Sequence, residues 1–303
     1  MPEINRFPGL AIALSTLLLA SAAAQAQYVE AESGGTTLQI RFAGPVEAPR
    51  ADEIVRWLRD VAADVGHVYG RFPVGRLGIV VIPHQSGSRN AGSPVPFARV
   101  TRRGQETVEL YINPDRPMSE FYTDWTLTHE FSHLMLPRIS WRQRWISEGF
   151  ASYYQNVLMA RAGHYSTHTA LQKLSAGFER GRGSRPQLSP NEAAQEGIRT
   201  ARYKIYWSGA AIALLADVAL REQSLGKESL DVILGRFQQC CLPSRRRWSG
   251  QEFFEKLDTL AMKPVFMPLY RRYANARGFP DVDEALANPI VRDAIFAVRT
   301  STN

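Results

Sequence analysis

The chain has 303 residues, of which 45% are hydrophobic, with two cysteines and a formal net charge of +7 at pH 7. This length and composition allow a sizeable hydrophobic core, in one large domain or two lobes, and exclude a disulfide-rich scaffold. The basic residues are spread out apart from short runs at 179–186 and 244–248, and no nucleic-acid-binding module is recognisable. We therefore expect no nucleic-acid partner.

The N-terminal segment has the order of features that is typical of a secretory signal peptide. Arg6 precedes an uncharged apolar run over residues 9–23, and Ala-Gln-Ala at 24–26 fits a signal-peptidase site. We predict cleavage after Ala26, a secreted or periplasmic location, and no membrane span in the remaining chain. An uncleaved membrane anchor is the alternative, because the apolar run is near the lower length for a spanning helix.

The next part of the chain predicts strands and one long helix. Alternating apolar residues predict a half-buried strand over 36–42, and apolar residues at helical spacing predict a helix over 52–72. A continuous apolar run predicts a central strand at 76–83, and alternation predicts another at 106–114. The Gly/Ser/Pro/Asn-rich residues 84–96 between them predict a loop.

After Pro117 the pattern becomes helical almost to the end. One helix is predicted from Ser119, as its N-cap, to Leu136, where Pro137 stops it. A second helix is predicted over 147–163, with Ser147 as its N-cap. Further helices are predicted at 206–222, 229–239, 250–261 and 267–276. The fold class is therefore α+β, and we predict three parts: a signal peptide (1–26), a mixed α/β lobe (27–118) and a helical lobe (119–303).

The two cysteines, Cys240 and Cys241, are neighbours in the sequence. Adjacent residues rarely reach disulfide geometry with each other, so we expect free buried thiols. An intermolecular disulfide is the alternative.

The stretch "HEFSH" places His129 and His133 four residues apart on a predicted helix, with Glu130 between them. Residues i and i+4 lie on one side of a helix, so the two imidazoles can bind one zinc ion. The carboxylate of Glu130 can reach a water molecule on that metal and act as its general base. This HExxH pattern therefore predicts a hydrolytic zinc site.

A catalytic zinc normally has three protein ligands, and Glu148 is the third that we predict. It follows His133 by fifteen residues, and the turn after Pro137 allows the next helix to return it to the metal. An exposed helical glutamate is the alternative. His164 and His168 are also four residues apart, but a tyrosine replaces the glutamate and they follow Gly163, so we interpret them as surface or loop residues.

"HEFSH" followed by "WISEGFASYY" (145–154) resembles the gluzincin zinc metallopeptidases, in which the third ligand is the Glu of a W-x-x-E-G segment. Residues 55–73, 203–234, 252–261 and 269–286 are similar to further parts of the M61-type glycyl aminopeptidases, so that the resemblance spans roughly 45–290. It implies a thermolysin-like two-lobe metallopeptidase fold, one Zn²⁺ per chain, and a peptide or protein substrate.

The resemblance also implies the roles of individual residues. His129, His133 and Glu148 match the zinc ligands, and Glu130 matches the general base. Tyr206, in "YWSGA", matches the tyrosine that donates a hydrogen bond to the developing oxyanion. Tyr203, one helical turn earlier, is the alternative, and a core aromatic role is open for either residue.

The sequence departs from the aminopeptidase pattern before the metal helix. Aminopeptidase relatives have a Gly-rich segment there with an acidic residue that holds the substrate amino terminus, and residues 90–113 have no clear match. Glu106 and Glu109 are the acids that we consider for that role. The chain is also too short for the N-terminal β-domain and PDZ domain common in M61-type proteins. We therefore leave exo- and endopeptidase activity open.

Two other functions remain possible from the sequence. One is a zinc hydrolase of a non-peptide amide in the cell envelope, because zinc-water chemistry does not depend on what flanks the carbonyl. The other is a non-catalytic peptide-binding protein on the same fold. The presence of the base, the ligands and the tyrosine together argues against the second function.

Overall fold

The computed structural model describes residues 27–84, 92–102 and 104–297. The signal peptide predicted over residues 1–26, with its cleavage site, lies outside the described residues. Across the part of the chain that is described, no helix is both long and apolar enough to span a membrane.

A five-stranded mixed sheet forms the N-terminal part of the fold. The strands are β1 (Tyr28–Ser33), β2 (Thr36–Phe42), β3 (Arg76–Pro83), β4 (Phe97–Thr101) and β5 (Thr107–Ile112). They pair in the order β1-β2-β3-β5-β4, with the three central strands parallel and both edge strands antiparallel to their neighbours. The three predicted strands are confirmed. The edge strands were not predicted, because β1 buries no side chain and β4 buries only Ala98.

Helix α1 (Ala48–Gly66) connects β2 to β3 and buries Ile54, Trp57 and Leu58 in the core that it shares with the sheet. It begins four residues before the predicted start, because Pro49 in the first turn has a backbone preset for a helix. It also ends earlier than predicted, in turns over residues 67–72.

The rest of the described chain is mainly helical, as predicted, but helices also form over Thr167–Gly183, Pro190–Glu196 and Asp283–Ala287, where none was predicted. The helices are α2 (Met118–Thr123), α3 (Thr126–His133), α4 (Trp145–Arg161), α5 (Thr167–Gly183), α6 (Pro190–Glu196), α7 (Ile198–Gln223), α8 (Leu230–Cys241), α9 (Gly250–Leu260), α10 (Phe266–Tyr273) and α11 (Asp283–Ala287). Two short strands, β6 (Arg138–Ile139) and β7 (Arg247–Trp248), pair in parallel beside them. The sheet followed by helices confirms the α+β class.

The single helix predicted from Ser119 to Leu136 is wrong, because the chain forms α2 and α3 with a break between them. Asp124 is extended at the break, and its carboxylate accepts a hydrogen bond of 2.8 Å from the backbone N–H of Thr126. An Asp side chain that bonds the backbone two residues later competes with helix continuation. The break gives the metal-site helix its own start.

Helices α4 and α7 make a very close contact through two glycines. A Cβ atom on Gly149 of α4 would lie 2.2 Å from Gly209 Cα, and one on Gly209 of α7 would lie 1.9 Å from the carbonyl oxygen of Trp145. Neither position can therefore hold a side chain at this separation. The contact brings together the two helices that carry Glu148 and Tyr206.

The expectation that Cys240 and Cys241 are free thiols is wrong, because the structure joins them in a disulfide at the end of α8. Their Cα atoms are 3.7 Å apart, which is shorter than the usual separation in disulfides. The expectation was based on that usual separation, and these two adjacent residues are an exception to it.

Candidate metal centre

Three side chains from two helices converge at the predicted metal site. His129 and His133 lie on consecutive turns of α3, with ring centroids 4.8 Å apart and rings perpendicular. The Nε2 atom of each ring is 3.5 Å from Glu148 Oε2. The potential ligand atoms of all three residues lie within 4.8 Å of one another. The structure therefore brings together the three residues that the sequence predicted as ligands.

Glu148 reaches this position because α4 begins immediately after a tight reversal of the chain. Residues 134–144 contain a turn, the strand β6 and a short 3₁₀ helix at Trp141–Gln143. Glu148 then lies in the first turn of α4, where the helix dipole favours a negative charge. Because residues 134–144 reverse the chain within a short distance, the Glu148 carboxylate lies opposite both imidazoles.

Each imidazole is oriented by a hydrogen bond to its other nitrogen. His129 Nδ1 is 2.7 Å from Gln155 Oε1, and His133 Nδ1 is 3.0 Å from Ser147 Oγ. Such partners fix the ring orientation and leave Nε2 for a metal. Ser147 was predicted as an N-cap, which is wrong, because α4 begins after Arg144 and the Ser147 hydroxyl instead contacts His133. The role of Gln155 was not predicted, although it lies two helical turns after Glu148 on the same face.

The charges in this group suit a cation. Burial would raise the pKa of Glu148, but His133 and His129 hold it well below its ordinary value, so the carboxylate is ionised. Burial lowers the pKa of His129, whereas Glu148 and Glu130 raise it, and the net shift is upward. Two imidazole nitrogens and one carboxylate oxygen are a ligand set that zinc prefers. The group can therefore hold a zinc ion.

Glu130 lies beside this group and is held by the sheet. Its Oε2 atom accepts a hydrogen bond of 3.0 Å from the backbone N–H of Val100, in the edge strand β4. Its carboxylate lines the open space next to His129. A carboxylate in this place can receive a proton from a molecule bound in the cleft.

Tyr206, and not Tyr203, lies at the metal group. The Tyr206 ring stacks on His129, with centroids 5.7 Å apart and planes 11° from parallel. Burial raises the pKa of Tyr206 well above its ordinary value, and the nearby Glu148 raises it further, so the phenol remains a hydrogen-bond donor. Tyr203 is 43% exposed and lies one turn away.

Two cavities meet at the site, and Glu130 and Tyr206 line both of them. We call the first the larger cavity; its volume is about 750 Å³, and it extends from His129 along α5 and α7. The second, the smaller cavity, has a volume of about 480 Å³ and extends past His133 and Glu148 towards β6 and β7. The site therefore lies within a groove that continues in both directions.

The other residues considered from the sequence lie away from the groove. Glu106 is half-buried near Arg102, and Glu109 pairs with Arg99 at 2.6 Å. Both arginines line the smaller cavity, but neither glutamate lines a cavity of the site. His164 lies in a turn and contacts Asp64. His168 is exposed in the first turn of α5.

Comparison with known proteins supports this geometry. Residues 138–212, which include Glu148 and Tyr206, match the sequence profile of the family described as M61 glycyl aminopeptidase. None of the curated proteins matches the chain in sequence. The matched segment contains Glu148 and Tyr206, whereas His129, Glu130 and His133 lie before it. This match confirms the resemblance that the sequence motifs indicated.

Solved structures share the fold at low sequence identity. An aminopeptidase N family protein from Idiomarina loihiensis aligns with a TM-score of 0.62 and 16% identity, over 87% of this chain and 49% of that chain. A mutant of the M1 zinc metallopeptidase from Deinococcus radiodurans bound to Tyr-Ser-Ala aligns with a TM-score of 0.54 and 16% identity, over 86% of this chain and 53% of that chain. This protein therefore has an M1-type zinc metallopeptidase fold and spans about half the length of these structures.

Proposed function

We propose that this protein is a zinc metallopeptidase that hydrolyses bonds within peptide chains. The observation that carries the proposal is the convergence of His129, His133 and Glu148 beside a carboxylate that faces a groove. The two histidines and Glu148 hold the metal, and Glu130 acts as the general base. The M61 match over residues 138–212 supports peptide bonds as the substrate.

His129, His133 and Glu148 would hold a zinc ion, whose positive charge would lower the pKa of a bound water and polarise the scissile carbonyl. Glu130 accepts the proton of the attacking water and passes it to the departing amine. The bond from Val100 N–H to Oε2 fixes the direction of the Glu130 carboxylate during both transfers.

Tyr206 stabilises the negative charge that develops on the carbonyl oxygen. Its phenol remains protonated because burial and Glu148 both raise its pKa. A neutral donor that is already in place contributes most when charge develops in the transition state. Packing of its ring against His129 holds the hydroxyl at the metal group.

The groove supports cleavage inside a chain. Glu130 and Tyr206 line both cavities, so a substrate can continue on each side of the scissile bond. Glu106 and Glu109, considered as ligands for a substrate amino group, line neither cavity. These two features favour an endopeptidase over an aminopeptidase.

We further propose that the protein acts outside the cytoplasm, in the periplasm or the medium. The support is the basic, then apolar, then small-residue order of residues 1–26. Expression of the full chain in a bacterial host, followed by N-terminal analysis of the exported protein, tests this. An exported chain that begins at Gln27 agrees with the proposal, whereas retention of residues 1–26 contradicts it.

The test of the function combines metal analysis with digestion of a proteome-derived peptide library. The purified protein should contain about one zinc per chain and generate new peptide termini. Glu148→Ala should lose most of the zinc. Glu130→Gln keeps the shape of the side chain but cannot accept a proton, so zinc should remain while turnover falls by at least ~10²-fold.

Two outcomes contradict the proposal. If Glu130→Gln cleaves peptides at the wild-type rate, the carboxylate is not the base. If the wild-type protein holds zinc but no peptide in the library is cleaved, peptide hydrolysis is not its reaction.

A further inference from the structure

We infer that the larger cavity selects peptides that carry carboxylate groups, and that Arg180 and Arg202, which lie with Lys173 on its wall, determine this specificity. The inference rests on the proposed peptide substrate and adds the chemistry of the residues next to the scissile bond. All three cations line the larger cavity, which also contains Glu130 and Tyr206.

The three cations come from two helices that form one wall of the cavity. Lys173 and Arg180 are seven residues apart on α5, so they lie on the same face about two turns from each other. Arg202 lies on α7, one turn before Tyr206. It lines the larger cavity together with Tyr206 and Glu130.

Aromatic rings, and not carboxylates, hold these cations in place. Each positive group lies over a ring: Lys173 Nζ is 4.8 Å from the Tyr165 centroid, Arg180 Cζ 5.2 Å from Trp207, and Arg202 Cζ 5.1 Å from Tyr203. Within the described part of the chain, none of the three has a carboxylate oxygen within 4.0 Å. Arg202 Nη2 donates a long hydrogen bond of 3.5 Å to Tyr203 Oη. A guanidinium that stacks on a ring otherwise keeps its N–H groups available for a carboxylate ligand.

The acidic residues of the larger cavity do not balance these charges. Asp124 accepts hydrogen bonds from Ser93 Oγ at 3.0 Å and from Thr126 N–H at 2.8 Å, so the fold already uses its oxygens. Lys173 offsets part of the Asp124 charge. Glu130 has the role of general base. Arg180 and Arg202 therefore remain as the two charges that a ligand can neutralise.

Exposed aromatic residues at the same cavity indicate a peptide and not a small inorganic anion. Phe97 is 51% exposed, Trp125 42% and Tyr203 43%, and all three line the larger cavity. Large exposed rings that cluster at a cleft are typical of binding surfaces. A peptide can cover these rings while an acidic group on it reaches the two arginines.

A peptide can supply the carboxylate from an Asp or Glu side chain or from its C-terminus. The experiment uses fluorescence-quenched peptides based on a sequence that the library identifies as cleaved. The first set of peptides is blocked at both ends. For each position that flanks the scissile bond it contains a pair of peptides that differ only by Glu or Gln at that position. A second pair has a free or an amidated C-terminus placed the same distance from that bond.

With the wild-type protein, we expect the kcat/KM for a Glu peptide to exceed that for its Gln partner by about 5- to 10-fold at low ionic strength. The ratio should fall as salt is added, because salt screens exposed charges. If the protein prefers the free over the amidated C-terminus but does not distinguish Glu from Gln, the wall binds the terminal carboxylate of the peptide. Equal rates in both pairs would overturn the inference.

Binding gives a readout that does not depend on turnover. Fluorescence anisotropy with the Glu130→Gln variant should show tighter binding of the carboxylate-bearing member of a pair. If the wild-type protein cleaved no peptide, the peptidase proposal would fail. Tighter binding of the carboxylate-bearing peptide would still support the inference that this wall binds carboxylates. Equal Kd values would overturn the inference even if peptides are cleaved.

Variants locate the effect. In Arg180→Gln and Arg202→Gln the ratio of Glu to Gln peptides should move towards one, and the double variant should abolish the preference. Arg41→Gln is the matched control, because Arg41 is exposed on β2 and lines neither cavity. If Arg41→Gln lowers the ratio as much as Arg202→Gln, the preference comes from the net charge of the protein and not from this wall.

Discussion

Gly149 and Gly209 approach each other so closely that neither helix at this crossing can carry a side chain: a Cβ atom on Gly149 would lie 2.2 Å from Gly209 Cα. Gly149 directly follows Glu148, the proposed ligand, and Gly209 lies three residues after Tyr206. The separation between the proposed metal ligand and the phenol that faces it is therefore set by a backbone contact. Side-chain repacking cannot restore that separation if the contact is lost.

The first prediction concerns this crossing. Gly209→Ala places a methyl group 1.9 Å from the carbonyl oxygen of Trp145, so the helices must separate. Overpacking of this kind typically costs about 1–3 kcal/mol of unfolding free energy, and urea denaturation should show at least that loss. Gly183→Ala is the matched control, because nothing lies within 4 Å of its added Cβ. Equal stability of the two variants would show that the crossing is not tight.

The second prediction concerns the partners of the histidines. Gln155→Ala and Ser147→Ala should each weaken zinc binding about 10- to 100-fold, because the imidazoles lose the bonds that orient them. Competition with a chromogenic chelator measures this. Gln251→Ala removes an exposed glutamine on α9 and should leave the affinity unchanged. Wild-type affinity in Gln155→Ala would mean that packing alone orients His129.

The third prediction concerns the oxyanion donor. Tyr206→Phe removes one hydrogen bond that strengthens in the transition state, so kcat should fall by ~10²–10³-fold with little change in KM. Zinc content and thermal stability should stay close to the wild type, because the ring still packs on His129. Tyr203→Phe is the matched control, one turn away and 43% exposed. A loss of kcat in Tyr203→Phe alone would move the role to that residue.

The fourth prediction concerns the ends of the substrate. Because the groove continues on both sides of Glu130 and Tyr206, N-acetylated peptides should be cleaved about as fast as free ones. Mass spectrometry of matched acetylated and unblocked peptides measures the rates and the sites of cleavage. Release of single residues from unblocked peptides only would identify an aminopeptidase.

The sequence predicted those parts of the site that depend on local spacing. His129, Glu130 and His133 lie within two turns of one helix, and the W-x-x-E-G segment identified Glu148, so these needed no tertiary information. The assignment of Tyr206 over Tyr203 needed the structure, because residues one turn apart share a helix face. Here the stacking on His129 distinguishes them.

Other parts of the site depend on contacts between distant segments, which no local pattern records. β4 was missed because an edge strand with a single buried side chain has no strong alternation. The break at Asp124 was missed because the helical pattern continues across it, whereas the hydrogen bond that causes the break is donated by the Thr126 backbone N–H to the Asp124 carboxylate. The wall of the larger cavity that carries Lys173, Arg180 and Arg202 is formed by α5 and α7, which are separated by α6 in the chain.

The bond between Glu130 and Val100 gives the proposed base a support that the metal ligands do not share. His129, His133 and Glu148 all belong to α3 and α4, whereas the orientation of Glu130 depends on an edge strand of the sheet. A small displacement of the sheet from these helices would therefore misdirect the proton acceptor while the metal stayed bound. On warming, peptidase activity should be lost at a lower temperature than bound zinc. An assay of zinc retention would therefore overestimate the fraction of active enzyme.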